Sequence, residues 1–283
     1  AQCDSLTSVT IPDSVTEIGF AAFSGCISLI SVTIGNGVTS IGDWAFKSCS
    51  SLTNITIPDS VTSIGEWAFN SCSSLTSITI PDGVISIGES AFDDCTGLTS
   101  VMWNAKNCNN YNFGSNITTF TFGKEVEFIP DSLCSGMNKL TSITIPNSVT
   151  NIGERAFYGC TSVTSILIPQ KVNKIGSMAF AACPSRTSIR VDSGNSTYDS
   201  RNNCNGIVEK STNKLIVGCK TTVIPNDVKC IGDYAFYECK SLASITIPDG
   251  VTSIGTSTFS DCLSLTSIII PDGVTSIGTN SFC

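Results

Sequence analysis

The sequence predicts a repeat solenoid, in which short parallel strands stack from coil to coil and a tight turn closes each coil. Three observations favour this fold class. A phrase of 23 residues recurs along nearly all of the 283-residue chain, each copy contains one alternating, strand-like segment, and proline and glycine recur at fixed places within the copies. Because stacked repeats share one continuous core, we expect a single array over residues 1–283.

Each copy is numbered from the residue that begins it, which is position 0 and is usually leucine. The consensus is L-x-x-I-x-I-P-x-x-V-x-x-I-G-x-x-A-F-x-x-C-x-x. Two copies differ in length: the short unit, residues 98–116, lacks four residues, and the long unit, residues 186–218, carries ten extra. The twelve copies begin at Leu6, Leu29, Leu52, Leu75, Leu98, Ile117, Leu140, Val163, Arg186, Cys219, Leu242 and Leu265.

Positions 2–5 of each copy predict a β-strand. In the copy that begins at Leu52, Ile55 and Ile57 point to one side and Asn54 and Thr56 to the other, which is typical of a half-buried strand. One strand per copy leaves no partner for a hairpin, so neighbouring strands are expected to run parallel. Proline at position 6 then ends the strand, because it cannot donate to the ladder, and eight of the ten prolines stand there.

The second half of each copy predicts a turn that closes the coil. Ile64 points inward again, Gly65 allows a sharp bend, and the spacing of Ala68, Phe69 and Cys72 fits one helical or 3-10 turn. Nine of the fourteen phenylalanines occupy position 17. We therefore expect a stack of phenylalanine rings in the core and not a ligand site.

The strand segment "LTSITI" and the 23-residue period resemble the leucine-rich repeat. The asparagine that usually follows the strand is missing, and the I-G-x-x-A-F-x-x-C ending is similar to the BspA-like (Treponema pallidum-type) leucine-rich repeat. This resemblance implies a right-handed superhelix with one parallel β-sheet on the concave face and short helical or 3-10 turns on the convex face. It also implies a cell-surface or secreted location and adhesion-type roles.

The composition argues against several classes of function. The chain has no histidine, the commonest general base and a common metal ligand. Its 15 basic and 23 acidic residues give a net charge of −8, which disfavours nucleic acid and anionic lipid as partners. No apolar run reaches the about 20 residues that span a bilayer. We expect no enzyme activity, no catalytic residue, no metal site and no cofactor.

The first residues carry neither the basic nor the apolar segment of a signal peptide. The chain also begins and ends inside a repeat. We therefore expect it to be a mature or trimmed piece of a longer protein.

Nine of the fifteen cysteines share position 20, and Met137 replaces cysteine there once. Exchange with methionine is typical of a small buried hydrophobic residue, so we expect mostly free thiols. The long unit differs, because two apolar runs flank the turn-like "KSTN" and predict a β-hairpin. Cys204 and Cys219 then lie roughly opposite each other and are the best candidates for a disulfide.

The outward strand positions are almost uniformly serine and threonine, which indicates either strand propensity with solubility or many weak contacts. Large side chains appear where the repeat is broken. Insertions in solenoids tend to be functional loops, although these two units could also simply complete coils of unequal length. The predicted partner-binding residues are Met102, Trp103, Tyr111 and Phe113 in the short unit and Arg186, Arg190, Tyr198 and Arg201 in the long unit.

An acidic row precedes the Ala-Phe pair, for example at Asp43 and Glu66. Carboxylates at helix N-termini explain this row, with cation binding as the alternative.

Taken together, the sequence predicts a non-enzymatic interaction module that binds an extracellular protein or glycan. The alternative is a structural spacer that displays another domain of a larger surface protein.

Overall fold

The computed structural model describes residues 3–108 and 111–283. The chain forms two compact parts, an N-terminal part over residues 1–130 and a C-terminal part over residues 131–283. Each part is a stack of short coils, and each is described by itself. Each part is a β-solenoid with almost no helix among its described residues, so the predicted fold class is confirmed.

Two sets of short strands alternate along the N-terminal part, one at positions 2–5 of a copy and one at positions 11–12. The strands are β1 (Ser8–Ile11), β2 (Glu17–Ile18), β3 (Ser31–Ile34), β4 (Ser40–Ile41), β5 (Asn54–Ile55), β6 (Ser63–Ile64), β7 (Ser77–Ile80), β8 (Ser86–Ile87), β9 (Ser100–Trp103), β10 (Thr119–Phe122) and β11 (Phe128–Ile129). The first set forms the parallel sheets β1-β3-β5 and β7-β9-β10. The second set forms a further parallel sheet, β2-β4-β6-β8, which the sequence did not predict.

The C-terminal part repeats this plan around the long unit. Its strands are β12 (Asn151–Ile152), β13 (Ser165–Ile168), β14 (Lys174–Ile175), β15 (Ser188–Val191), β16 (Tyr198–Asp199), β17 (Ile207–Glu209), β18 (Lys214–Val217), β19 (Cys230–Ile231), β20 (Ser253–Ile254) and β21 (Ser276–Ile277). A 3-10 segment spans Arg201–Asn203. Strands β17 and β18 are antiparallel, so the predicted hairpin is present, and β18 continues in parallel through β19, β20 and β21.

In the regular coils, the closing turn is a hydrogen-bonded backbone ladder and not the single helical or 3-10 turn that the sequence predicted. In the copy that begins at Leu52, the N–H groups of Trp67, Phe69 and Ser71 donate to carbonyls of the next coil at 3.0, 2.8 and 2.9 Å. The N–H groups between them donate three residues back within the turn. Trp67 and Ser71 adopt the left-handed φ values of 57° and 61°, so left-handed residues recur within the turn. The turn ladder thus pairs groups that a single helical turn leaves unpaired.

Phenylalanine side chains stack through the core, as the sequence predicted. The rings of Phe46 and Phe69 lie 5.3 Å apart and those of Phe69 and Phe92 lie 5.2 Å apart, with 7° between the planes of each pair. All three side chains are buried. Equivalent stacks in the C-terminal part join Phe157 with Phe180, and Phe236 with Phe259 and Phe282.

The glycine at position 13 is required by the close approach of two coils. A Cβ atom on Gly65 would lie 2.5 Å from the nitrogen of Asp43 and 2.6 Å from the carbonyl carbon of Gly42 in the preceding coil. Gly65 does not adopt a left-handed conformation. The residue therefore lets the backbones touch, whereas the sequence indicated only a bend.

Gly65→Ala is expected to lower the free energy of unfolding by about 3 kcal/mol, because the added methyl group meets backbone that the ladders hold in place. Gly19 occupies the same position in the first coil, where an added methyl group would have no atom within 4 Å. Gly19→Ala is the matched control and should cost less than about 1 kcal/mol. Urea unfolding of both variants measures the difference, and equal losses would contradict the close-approach explanation.

Candidate functional site

The aromatic residues of the short unit complete the core and do not face a partner. Trp103, Tyr111 and Phe113 are all buried, so their predicted role as partner contacts is corrected to one in packing. The Phe113 ring lies 5.4 Å from that of Phe92 and occupies the next step of the phenylalanine stack. Only Met102 among the four predicted residues of this unit is exposed.

Tyr111 also supplies a hydrogen-bond acceptor to the turn ladder beside the short unit. Its hydroxyl accepts a hydrogen bond of 2.7 Å from the N–H of Phe92, a group that in regular coils donates to a carbonyl of the next coil. Burial raises the pKa of this hydroxyl, which therefore stays protonated at neutral pH. The short unit thus replaces a missing backbone acceptor with a side chain.

Two predicted residues of the long unit are also buried. Arg186 stands at position 0, where regular copies bury leucine, and it is 2% exposed. Its Nη1 and Nη2 atoms donate to the carbonyls of Phe180 and Gly218, each at 2.5 Å. Tyr198 is 4% exposed and its hydroxyl donates to the carbonyl of Asn173 at 3.5 Å. Neither side chain faces solvent, so their predicted partner contacts are corrected as well.

Arg201 holds the segment before the hairpin in place. Its Nε atom lies 2.8 Å from the Asp199 carboxylate, and Nη1 donates to Asn213 at 2.7 Å and to Asp227 at 2.6 Å. The two carboxylates raise the pKa of the guanidinium. Arg201 is half-buried and still presents part of its surface to solvent.

A polar groove brings together two of the predicted residues, Arg190 and Arg201. It lies between β15 and residues 199–205, has a volume of about 590 Å³, and is fixed by a 2.6 Å bond from the N–H of Val191 to the Ser200 hydroxyl. Arg190 is exposed on the outer face of β15 and has no ion-pair partner in the parts of the chain that the structure describes. We call this the β15 groove.

Exposed apolar side chains interrupt the serine and threonine face of the C-terminal part. Leu167 pairs directly with Arg190 across β13 and β15 and is 56% exposed, and Val223 is 72% exposed. In most other coils the same strand position holds threonine. The sequence signal for these residues was therefore available, as a break in the threonine row, but it was not read as a site.

The cysteines at position 20 form a row of buried thiols. Cys49, Cys72 and Cys95 each donate to the carbonyl of a phenylalanine in the preceding coil, at 3.2, 3.2 and 3.1 Å. Burial raises the pKa to about 12 for Cys49 and Cys95 and to about 11 for Cys239. A thiol with such a pKa stays protonated at neutral pH and is a poor nucleophile.

Cys204 and Cys219, the predicted disulfide pair, are free thiols in the structure. Both are buried, and their sulfur atoms lie 3.6 Å from the carbonyl of Gly206 and 3.5 Å from that of Asn205. The bridge is therefore not formed in this state. It stays a prediction for the oxidised protein. Titration of the free thiols in the denatured, unreduced chain tests it.

The aspartates of the acidic row extend the turn ladder. The Asp43 carboxylate accepts a 2.8 Å hydrogen bond from the N–H of Glu66 in the next coil, and Asp233 accepts one of 2.7 Å from Thr256. These contacts replace the helix N-termini that the sequence suggested. Within residues 3–108 and 111–283, no group of three or more histidine, cysteine, aspartate or glutamate side chains is placed to hold a metal ion.

An aromatic row also lies on the outer side of the closing turns in the N-terminal part. The ring of Trp44 lies 6.2 Å from that of Phe20 and 6.3 Å from that of Trp67. Lys47 places its ammonium 3.7 Å from the centre of the Trp44 ring and 4.4 Å from that of Trp67. The two indole rings therefore already form cation–π contacts with the ammonium group of Lys47.

Across the described ranges, no helix has the length and apolar character needed to cross a membrane.

The stacked parallel strands, the buried position-0 residues and the phenylalanine stack define a leucine-rich repeat solenoid. A family model described as the BspA type leucine rich repeat region, in six copies, matches residues 1–116, 106–212 and 207–283. These matches span the whole chain. The chain belongs to the BspA-type leucine-rich repeat family.

Several solved bacterial structures resemble the chain. A leucine-rich repeat protein from Bacteroides ovatus is 28% identical, with a TM-score of 0.61, over 99% of this chain and 76% of that one. A leucine rich cell surface protein from Faecalibacterium prausnitzii is 34% identical, with a TM-score of 0.44, over 96% and 69%. The pneumococcal vaccine antigen PcpA is 19% identical, with a TM-score of 0.48, over 96% and 68%. No curated protein matches the chain.

Proposed function

We propose that the chain is a non-enzymatic, extracellular or cell-surface interaction module that binds a protein or glycan through the β15 groove and the strands beside it. Membership of the BspA-type family supports a surface location, as the resemblance implied. A single observation carries the choice of surface. Arg190 is exposed, has no ion-pair partner among the described residues, and lines the β15 groove beside Leu167, where the serine and threonine face is broken.

The physical argument rests on where binding energy concentrates. Arginine and aromatic anchors dominate most interfaces, whereas serine and threonine are weak anchors. Arg190 offers planar, bidentate hydrogen bonding, and the exposed side chain of Leu167, its partner across β13 and β15, offers apolar area beside it. The groove volume of about 590 Å³ is in the range of clefts that hold a small ligand or a few residues of a larger one.

Binding of the chain to a panel of immobilised extracellular-matrix proteins and to a glycan array tests this function. For any partner found, Arg190→Ala is expected to weaken binding at least tenfold, because it removes an anchor without removing a buried contact. Thr79→Ala, an outward position on a regular coil, is the matched control and should change affinity less than twofold.

The structure also decides which variants are informative. Trp103→Ala and Arg201→Ala would each remove packing or ion pairs that hold the fold, so a loss of binding would have two explanations. Loss at Thr79 alone would place binding on the hydroxyl face. No binding to any member of the panel would favour the structural spacer instead.

A further inference from the structure

The turn ladder lacks two of its hydrogen bonds where the long unit is inserted, although Ala182 at position 19 still donates to the carbonyl of Tyr237 at 3.3 Å. In the regular coils, the residues at positions 15 and 17 donate their N–H groups to carbonyls of the next closing turn, as Arg155 and Phe157 do to Ser177 and Ala179 at 3.0 and 2.8 Å. The equivalent donors one coil later are Met178 and Phe180. Within residues 111–283, neither N–H group has a hydrogen-bond partner, since the long unit supplies no closing turn of its own.

A buried cation lies at the same step of the array. Arg186 uses Nη1 and Nη2 to bond two carbonyls, but its Nε–H is buried and has no hydrogen-bond partner. No carboxylate forms an ion pair with it among the described residues. A buried charge that lacks a counter-ion is costly, so an anion that reaches it gains a strong, charge-assisted contact.

The residues that carry these groups, Met178, Phe180 and Arg186, line one cavity of about 220 Å³. It lies between the closing turn at 176–181 and the one at 232–237, with the hairpin along one side. The cavity is smaller than the about 300–1,000 Å³ clefts that hold drug-sized ligands. Its walls include the aromatic side chains of Tyr198, Tyr234 and Tyr237 and a second cation, Lys214.

Two carboxylates also line the cavity, and both have other partners. Asp233 accepts a hydrogen bond from the N–H of Thr256 at 2.7 Å, and Glu209 accepts one from the Thr212 hydroxyl at 2.5 Å. Neither pairs with Arg186. The groups without a hydrogen-bond partner at this step of the array are therefore donors. One negative charge from a ligand would balance the positive charge of Arg186.

We propose that this cavity binds the carboxylate group of a small organic acid, with Arg186 Nε and the backbone N–H groups of Met178 and Phe180 as donors. The tyrosine rings would cover the apolar part of the ligand, and Lys214 would add long-range attraction. The site is separate from the β15 groove and does not depend on the proposed function.

Benzoate and benzamide test the proposal, since they share size and shape and differ in charge. Benzoate is expected to raise the midpoint of thermal unfolding with a saturable dependence on concentration, whereas benzamide should not, with ionic strength held constant by sodium chloride. Lys214→Gln should weaken the benzoate response several-fold without disturbing the core. Arg186→Leu, which restores the usual position-0 residue, should abolish it.

The outcomes separate the explanations. An equal response to benzoate and benzamide would mean that an apolar pocket binds without recognising charge and would overturn the proposal. An equal response to benzoate and to added chloride would mean that only an inorganic anion binds, which would also overturn it. If Arg186→Leu does not fold, the Lys214→Gln titration and chemical-shift changes at the Met178 and Phe180 amides decide, and unchanged amide shifts would reject the site.

Discussion

Raising the pH above about 9 is expected to unfold the chain cooperatively, because the buried thiols stay protonated in the folded state and ionise in the unfolded state. Burial raises the pKa to about 12 for Cys49, Cys95 and Cys262. A pKa that is higher when folded gives stability that is complete below the unfolded value, near 9, and is lost as the pH rises towards 12. Each such thiol removes about 1.4 kcal/mol per pH unit in that window.

The number of thiols makes this effect large. Ten cysteines have raised pKa values, and burial is the main cause in each: Cys26, Cys49, Cys72, Cys95, Cys134, Cys160, Cys183, Cys204, Cys239 and Cys262. For Cys49, Cys95 and Cys262 alone, the summed loss between pH 9 and pH 11 is on the order of 8 kcal/mol. That matches the total stability of a typical domain, so unfolding should be complete by about pH 11.

Circular dichroism against pH, with reductant present, measures this transition. Replacement of Cys49, Cys72 and Cys95 together by alanine should reduce the pH dependence of the unfolding free energy by about 4 kcal/mol per pH unit. Replacement of the exposed Cys3 and Cys283 by alanine is the control and should leave it unchanged. A chain that stays folded at about pH 11, or a triple variant with an unchanged pH dependence, would contradict this account.

Phe69→Ala is expected to cost about 4 kcal/mol of stability, in the range for loss of a buried phenylalanine from a core. The ring stacks on both neighbours, Phe46 and Phe92, and the side chain is fully buried. A regular array also offers little room for collapse around the cavity, because each coil is held to the next by backbone ladders.

Phe282→Ala is the matched control, because Phe282 has the same repeat position but is 44% exposed and stacks on Phe259 alone. Denaturant unfolding should show a loss below about 1.5 kcal/mol for this variant. Similar losses for the two variants would mean that ring stacking contributes little beyond local contact.

The regular coils were predictable because their chemistry repeats. Alternating Ile55 and Ile57, the phenylalanine at position 17 and the glycine at position 13 each recur often enough to define a core. The second parallel sheet and the left-handed residues of the closing turn were not predictable from these patterns. They arise from hydrogen bonds between coils, and residues such as Trp67 and Ser71 carry no preference for a left-handed conformation.

The irregular units were the hardest to interpret. Residues that anchor a partner and residues that fill a gap in the core are of the same types. Tyr111 and Phe113 fill places that a missing turn leaves empty, and the absent Ala-Phe pair in the short unit was the available signal. Arg186 stands at a position that is otherwise always apolar, so its burial could have been predicted. Arg190 occupies an outward position, and the prediction that it faces solvent was right.

The claim that specificity lies in the long unit is tested most directly by hydrogen exchange of the chain with and without a partner found on the panel. We expect slower exchange upon binding at amides of residues 188–205 and in the neighbouring strand β13, with little change in β1, β3 and β5. Protection spread evenly over the serine and threonine strands of the N-terminal part, with residues 188–205 unchanged, would contradict the account.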